Sequence, residues 1–378
     1  MRNKYGFWSL SKHKMLMECE MKWALNYYIA KRGEFESKPP FLQLAWRLKH
    51  IKNVFLLFGE LLHQIIEEEV NTFMETGEVL SETKIRGRLS DMLEQSFRKS
   101  KSDLDLWYKD PKANTMLYEI YYDGGLGKNT TQFIKQRIDK CVSGFIHSTT
   151  INELIVKGSV KIMEAEKFRS FYVDGVKVIL SADLIYHDQD NDIWGIIDWK
   201  SGKKKPQDAQ QLALYAMYLE NTYGANIQDI LVSNEYLENG TSKSYVIDTY
   251  DTDSLRNIIQ QSAKRMAELE EHINIPDTEV MGVFHKTENK EQCDKCNFKA
   301  ICLEEQKDMH INNFLQGIGR KKKERTMKER DIIMMREFVR SGMPVDERVV
   351  EFLEESPYET EDSYNSKLER MSEVLSGY

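Results

Sequence analysis

The sequence predicts a mixed α/β fold, with a β-rich middle between two helical stretches. Apolar residues recur at helical spacing through the first 150 residues, the pattern changes to strands from about residue 155, and a helix, a strand and a further helix follow. A chain of 378 residues is long enough to bury a core and to form one large domain or two to three smaller ones.

The N-terminal part is predicted to be helical. Residues 9–30 indicate one helix with Ser9 or Ser11 as its N-cap, and a second helix covers about 55–76. Residues 82–150 continue as helices, with breaks near Pro111 and at the stretch DGGLGKN. That stretch lacks the GxxxxGK[ST] spacing of a phosphate loop and no strand leads into it, so we interpret it as a turn.

Three successive strands are predicted next, joined by turns at Asp174-Gly175 and Asp190-Asn191. A helix to about Tyr223, the strand DILVSNEYL, the strand KSYVID and a helix over about 251–273 follow. The domain prediction is a helical N-terminal region over 1–150, an α/β core over 151–275, a cysteine segment over 276–310 and a charged helical tail over 311–378.

The composition indicates an ordinary globular protein of the cytoplasm. No apolar run approaches the ~20 residues that span a bilayer, and the N-terminus lacks the apolar stretch of a signal peptide, so no membrane partner is expected. The net charge of −8 argues against a generally basic nucleic-acid-binding surface. It leaves room for a local basic channel, and Lys200, Lys203, Lys204 and Lys205 form a basic patch.

Two aspartates are predicted to face each other across the second hairpin. If the loop is centred on Asp190-Asn191, Asp183 lies directly opposite Asp198. Facing residues are only ~5 Å apart at Cβ, where like charges destabilise a sheet. Lys200 lies two residues after Asp198 and shares its face of the strand.

Carboxylate oxygens are natural ligands for Mg²⁺ or Mn²⁺, which would neutralise the two aspartates. Such a site favours metal-assisted hydrolysis of a phosphodiester, with the lysine positioning or stabilising the attacking group. In the helix that follows, Gln211 and Tyr215 lie four residues apart on one face. That face is either an ordinary amphipathic surface or one that contacts a phosphate backbone.

The motifs SADLI, IIDWKSG and QLALY, in this order, resemble those of the RecB-type branch of the PD-(D/E)XK nucleases. The resemblance implies a restriction-endonuclease-like mixed sheet flanked by helices. It also implies that Asp183 and Asp198 are the metal-binding acids, that Lys200 is the catalytic lysine, and that Gln211 and Tyr215 are the QxxxY pair.

An upstream G-x-x-x-H motif belongs to the same resemblance and matches GELLH, from Gly59 to His63. The resemblance makes His63 a further metal ligand. The alternative interpretation is a helix histidine paired with Glu67 one turn later. One departure is Ser181, where the family often has glycine two residues before the first acid.

The cysteines form a second pattern. CDKCNFKAIC places Cys293, Cys296 and Cys302 in a C-x2-C-x5-C cluster, whose first two thiolates can hold one metal centre. Cys19, on the first helix, is the candidate for a fourth ligand. Cys141 lies among apolar residues of a helix and is interpreted as a small buried hydrophobe.

The iron–sulfur subset of the RecB-type nucleases is similar, with one cysteine in an N-terminal S-x-S…C helix, in this chain SLSKHKMLMEC, and three beyond the core. That resemblance implies a [4Fe-4S] cluster on Cys19, Cys293, Cys296 and Cys302, which would staple distant parts of the chain. Zn²⁺ is the alternative occupant.

The function implied by the resemblance is a metal-dependent deoxyribonuclease, an exonuclease or end-processing enzyme on single-stranded or frayed DNA. Recombination, repair and CRISPR adaptation are the implied settings, with a helicase or another recombination or CRISPR protein as partner. The alternative is a DNA-binding or scaffold subunit that keeps the fold without catalysis. Nothing in the site distinguishes DNA from RNA.

Overall fold

The structure is a computed structural model of the chain and describes residues 6–34, 38–78, 80–158, 160–205, 208–276 and 279–302. The predicted tail over 311–378 lies outside these residues. The chain divides into two compact units, each built from alternating chain segments. Of the described residues, unit 1 comprises those within 1–18, 55–94 and 127–274, and unit 2 those within 19–54, 95–126 and 275–378.

The described residues form the predicted helices and β-rich middle, together with three two-residue strands before residue 150 that the sequence does not predict. In chain order, the α-helices are α1 Leu10–Glu18, α2 Glu20–Ala24, α3 Pro40–Lys49, α4 Val54–Thr76, α5 Glu82–Ser102, α6 Leu104–Lys109, α7 Tyr118–Tyr121, α8 Lys128–Ile146, α9 Asp208–Tyr223, α10 Thr249–Glu270, α11 Val280–Val283, α12 Lys290–Asp294 and α13 Lys299–Cys302. Shorter helical turns of the 3-10 or π type are Leu25–Ile29, Ala30–Gly33, Thr150–Val156 and Ile227–Asp229. The strands are β1 Phe7–Trp8, β2 Ile51–Lys52, β3 Met116–Leu117, β4 Lys161–Val173, β5 Val176–Asp188, β6 Ile193–Lys200, β7 Ile230–Tyr236 and β8 Thr241–Tyr245.

A mixed sheet forms the centre of unit 1. Within the described residues it has six strands in the order β1-β5-β6-β7-β8, with β4 paired to β5 as well. The pairs β4–β5, β5–β6 and β7–β8 are antiparallel, whereas β1–β5 and β6–β7 are parallel. The mixed α/β fold class predicted from the sequence is confirmed.

Turn chemistry sets the two hairpins. Asp174 and Gly175 have φ of 47° and 85°, the left-handed pair that a tight two-residue turn requires. In the second hairpin the Asp188 carboxylate accepts hydrogen bonds from the backbone N–H groups of Asp190 and Asn191, at 3.1 and 3.2 Å. Both turns lie where the sequence predicts them.

Helix α9 is the crossover between the parallel strands β6 and β7, a connection that parallel pairing requires. Every residue from Leu212 to Leu219 is buried. The helix is therefore enclosed on all sides of this stretch, and the interpretation of its Gln/Tyr face as part of an ordinary amphipathic surface is wrong.

The first predicted helix is interrupted at Cys19. Ser9 caps α1 as predicted, since its hydroxyl accepts a hydrogen bond from Lys12 N at 3.2 Å. Cys19 then adopts an extended backbone with φ of −168°, and its sulfur accepts from Lys22 N to begin α2. The prediction of one continuous helix is wrong because this cysteine acts as an N-cap.

Unit 2 has its own aromatic core. The ring of the buried Trp107 packs against the ring of Tyr121 with centroids 5.6 Å apart. The Tyr122 hydroxyl donates to the carbonyl of Asn297 at 2.7 Å, which ties the segment before α13 to α7. This unit contains Cys19 and the three C-terminal cysteines. In the part of the chain that the structure describes, no helix combines the length and apolarity needed to cross a membrane.

Candidate active site

The site begins where strands β5 and β6 separate. Their ladder pairs Asp188 with Ile193 and ends at Leu184 opposite Ile197, which is the register that the sequence predicts. Asp183 and Asp198 are the next residues on the two strands. Beyond the ladder, Asp183 Oδ2 accepts a hydrogen bond of 2.6 Å from the backbone N–H of Trp199. The side chain of Asp183 therefore bridges the opening between the strands.

Asp198 is only 1 % exposed and forms an ion pair with Lys200, with 2.5 Å between Oδ2 and Nζ. The Lys200 ammonium therefore both pairs with this carboxylate and donates a hydrogen bond to it. Burial raises the pKa of Asp198, and the charges of Lys200 and His63 offset this only in part. Because burial penalises the ionised form, a buried carboxylate is stabilised by cationic partners.

Lys200 is held from two directions. Burial disfavours its charged form, but the carboxylates of Asp198 and Asp183 outweigh burial, and the pKa of Lys200 is raised. Its ammonium also donates to Gln211 Oε1 at 2.8 Å. Lys200 is thus a fixed positive charge next to both aspartates.

Gln211 and Tyr215 continue this chain of hydrogen bonds. Gln211 Nε2 donates to the Tyr215 hydroxyl at 2.6 Å, and that hydroxyl donates to the carbonyl of Ser181 on β5 at 2.6 Å. Because Tyr215 is only 2 % exposed, it holds strand and helix together and does not offer its hydroxyl to a phosphate at the surface. Gln211 and Tyr215 thus hold the Lys200 ammonium in place through a chain of hydrogen bonds.

His63 contacts the first aspartate. Its Nδ1 lies 3.5 Å from Asp183 Oδ1. Gly59, one turn earlier on α4, permits close packing, since a Cβ there would meet Ser201 Oγ at 3.3 Å. The G-x-x-x-H spacing therefore has a physical basis, because the small residue lets the helix approach the end of β6 and the histidine then reaches Asp183.

The donors suit a hard divalent cation. Two carboxylates and an imidazole are ligands that Mg²⁺ and Mn²⁺ accept. In the described part of the chain, however, no group of three or more His, Cys, Asp and Glu side chains is arranged to hold a metal ion. Instead, the backbone of Trp199 and the ammonium of Lys200 contact the two carboxylates.

Sequence reasoning missed Asn234. In the β6–β7 ladder it is the register partner of Asp198, so the two side chains lie on the same face. Asn234 is fully buried, and neither amide atom has a hydrogen-bond partner among the described residues. The signal in the sequence is an asparagine in the middle of the otherwise strand-like run ILVSNEY. Only the tertiary register connects that signal to the site.

Two further charges near the site were not predicted. Asp208 accepts from the Tyr236 hydroxyl at 3.0 Å and from Lys205 N at 2.9 Å, which fixes the start of α9. Lys14 on α1 has a lowered pKa because of burial and because of the nearby charge of Lys200. These residues add to the local charge around Asp198 and Lys200.

The four predicted cluster cysteines are free thiols within unit 2, and in the described residues no three of them are arranged to hold a metal ion. Burial raises the pKa of Cys302 to about 12 and also raises the pKa of Cys293 and of Cys296. The negative charge of Cys19 adds to the shift in all three. Cys19 therefore lies within electrostatic reach of the others.

Backbone N–H groups point at two of the sulfurs. Lys22 N donates to Cys19 Sγ at 3.5 Å, and Phe298 N donates to Cys296 Sγ at 3.4 Å. Such hydrogen bonds stabilise metal-bound thiolates and tune iron–sulfur centres. Cys141, in contrast, is buried in α8 of unit 1, as predicted for a small hydrophobe.

Comparison with known proteins gives one match. A sequence model of the family described as the PD-(D/E)XK nuclease superfamily matches residues 7–303. A search of curated proteins found no match.

Proposed function

Because the chain belongs to the PD-(D/E)XK nuclease superfamily, we propose that it hydrolyses phosphodiester bonds of DNA with a divalent metal held by Asp183, Asp198 and His63. One observation carries the proposal: the buried Asp198 carboxylate lies beside Lys200 and next to Asp183 at the opening between β5 and β6. When bound there, Mg²⁺ or Mn²⁺ would polarise the scissile phosphate and lower the pKa of a bound water.

The protein's own groups then have distinct roles. Asp183 and Asp198 supply negative charge for the cation, and the Trp199 N–H orients Asp183. Lys200, protonated through its pairing with Asp198, stabilises the negative charge that develops on the phosphate oxygens. Gln211 positions the Lys200 ammonium. The protein thus supplies a preorganised set of charges, which is what phosphoryl-transfer sites require.

The direct test replaces the charged groups without changing their size greatly. Asp198→Asn and Lys200→Met should each lower the rate of metal-dependent cleavage by at least ~10²-fold, because each removes charge stabilisation in the transition state. Cleavage of labelled oligonucleotides with Mg²⁺ and with Mn²⁺ measures the rate, and circular dichroism checks the fold.

Asp253→Asn is the matched control, since its side chain is 73 % exposed on α10, and it should cleave like the wild type. Wild-type rates in either site variant would refute the assignment. DNA binding without cleavage by the wild type would favour the scaffold alternative.

We also propose the finer assignment to the RecB-type branch, with action on free or single-stranded ends in recombination, repair or CRISPR adaptation. The support is the set of motifs at Asp183, Asp198–Lys200 and Gln211–Tyr215. Linear and circular single strands of the same sequence separate the modes. Digestion of linear strands alone indicates an exonuclease, and digestion of circles indicates an endonuclease.

For the cysteines we propose a [4Fe-4S] cluster held by Cys19, Cys293, Cys296 and Cys302. Support comes from their mutual charge coupling and from the N–H···S hydrogen bonds at Cys19 and Cys296. A metal would hold thiolates that burial otherwise disfavours. Zn²⁺ is the alternative occupant of the same ligands.

A further inference from the structure

Unit 1 presents three aromatic side chains to solvent near the edge of its sheet. Phe168 is 81 % exposed, Tyr172 is 59 % exposed and Phe7 is 42 % exposed. Phe168 and Tyr172 alternate on β4 with the buried Phe171 and Val173, so they lie on the outer face of the strand. We call Phe7, Phe168 and Tyr172 the aromatic face.

The strand register places a lysine within this face. Tyr172 pairs with Lys177 on β5, and on the other side Lys177 pairs with Phe7 on β1. Since register partners lie on one face and neighbouring strands are ~4.8 Å apart, Lys177 stands between Phe7 and Tyr172 across the sheet. Phe168 is four residues from Tyr172, or ~13 Å along the strand. Lys177 therefore has the Tyr172 ring on one side and, on the other, the Phe7 ring, over whose centroid the Lys12 ammonium lies at 4.8 Å.

The aromatic face adjoins the proposed catalytic residues. Phe168 is the register partner of Ser181, and Ser181 precedes Asp183 by two residues on β5. At ~3.3 Å per residue and ~4.8 Å between strands, the Phe168 backbone is ~8 Å from that of Asp183. A polymer with one phosphate at Asp183 would meet Phe168 within one or two further units.

We infer that the aromatic face binds the unpaired bases of a single-stranded nucleic acid, with Lys177 contacting its phosphates; this rests on the proposed nuclease function. Exposed aromatic rings interleaved with a basic residue are the arrangement on which successive bases stack. In a duplex the base faces are already stacked on one another and cannot use the rings. The face therefore selects single strands or frayed ends and leads them to Asp183.

The test measures binding and cleavage separately. Fluorescence anisotropy with labelled oligo-dT and with a duplex, both in EDTA, compares the wild type with the double variant Phe168→Ala/Tyr172→Ala. The variant should bind oligo-dT at least roughly tenfold more weakly, because each lost stack weakens binding about fivefold or more, and duplex binding should change little. Both residues are exposed, so thermal stability should stay at the wild-type value.

Tyr250→Ala is the matched control, because Tyr250 is 78 % exposed on α10, and it should bind oligo-dT like the wild type. Comparing the affinity of the wild type for oligo-U with its affinity for oligo-dT shows whether the aromatic face prefers RNA or DNA. Unchanged oligo-dT binding by the double variant overturns the inference, as does an equal loss on single strands and duplex. Metal-dependent cleavage by the wild type is measured in a separate experiment. The role of the aromatic face can therefore be disproved without disproving the nuclease function.

Discussion

Asn234 is buried beside Asp198, and neither of its amide atoms has a hydrogen-bond partner among the described residues. A buried polar group left unsatisfied costs ~1–3 kcal/mol. Proteins retain such groups where function requires them. At the scale of the residue, the protein therefore gives up stability around the carboxylate that we propose to bind metal.

The change Asn234→Leu should raise the free energy of unfolding by ~1–2 kcal/mol without added divalent metal, because an apolar side chain of similar shape replaces an unpaired amide. Urea denaturation followed by circular dichroism measures this. The matched control is Asn297→Leu, since the Asn297 amide donates to the Leu48 carbonyl at 2.7 Å, and it should be destabilising. If both variants lost stability equally, the account of Asn234 would be wrong.

At the scale of the element, helix α9 determines where Lys200 lies. Its Gln211 contacts the ammonium and its Tyr215 is anchored on the backbone of β5. The spacing of four residues puts both side chains on one face, which the sequence predicts. Gln211 and Tyr215 can hold Lys200 and β5, however, only because α9 is buried. Helical spacing alone does not show whether a helix face contacts solvent or another element.

Tyr215→Phe should lower the free energy of unfolding by ~1–3 kcal/mol, because the Ser181 carbonyl and the Gln211 amide both lose a buried partner. Cleavage should also slow, but less than in Lys200→Met, because the lysine keeps its charge and its pairing with Asp198. Chemical denaturation and single-turnover cleavage measure the two effects. Tyr250→Phe should change neither, and a Tyr215→Phe variant with wild-type stability and rate would contradict this role for α9.

At the scale of the whole molecule, the chain passes back and forth between two units, and the family match over 7–303 runs through both. The four cluster cysteines lie in unit 2, and the proposed catalytic residues lie in unit 1. The fold of unit 1 is restriction-endonuclease-like, in keeping with the family. Cys19 and Cys302 are far apart in sequence, so a metal that joins them closes a long loop and stabilises unit 2.

Cys19→Ser should therefore lower both the bound metal and the melting temperature of the full chain. Elemental analysis and visible absorbance of the purified protein measure the metal, with about four irons per chain and a brown colour expected for the wild type. Cys141→Ser, at a buried cysteine of unit 1, should leave the metal content unchanged. If elemental analysis finds about one zinc and no iron per chain, the cysteines hold zinc instead of an iron–sulfur cluster. If it finds neither metal, both assignments are wrong.

Local sequence patterns are enough to predict the hairpin turns, the register that brings Asp183 towards Asp198, and the spacing of Gln211 and Tyr215. These follow from turn chemistry and side-chain periodicity, which act over a few residues. The break at Cys19 is local too, but a cysteine N-cap competes weakly with helix propensity and gives no clear signal.

Contacts between residues distant in sequence could be found only from the folded chain. Asn234 reaches Asp198 because two strands separated by a helix pair in parallel, and Phe7 joins Tyr172 through Lys177 because β1 adds to β5. These pairings depend on long-range burial and loop closure, which no short-range pattern encodes. The sequence therefore predicts the chemical groups of the site, and the fold decides which groups surround them.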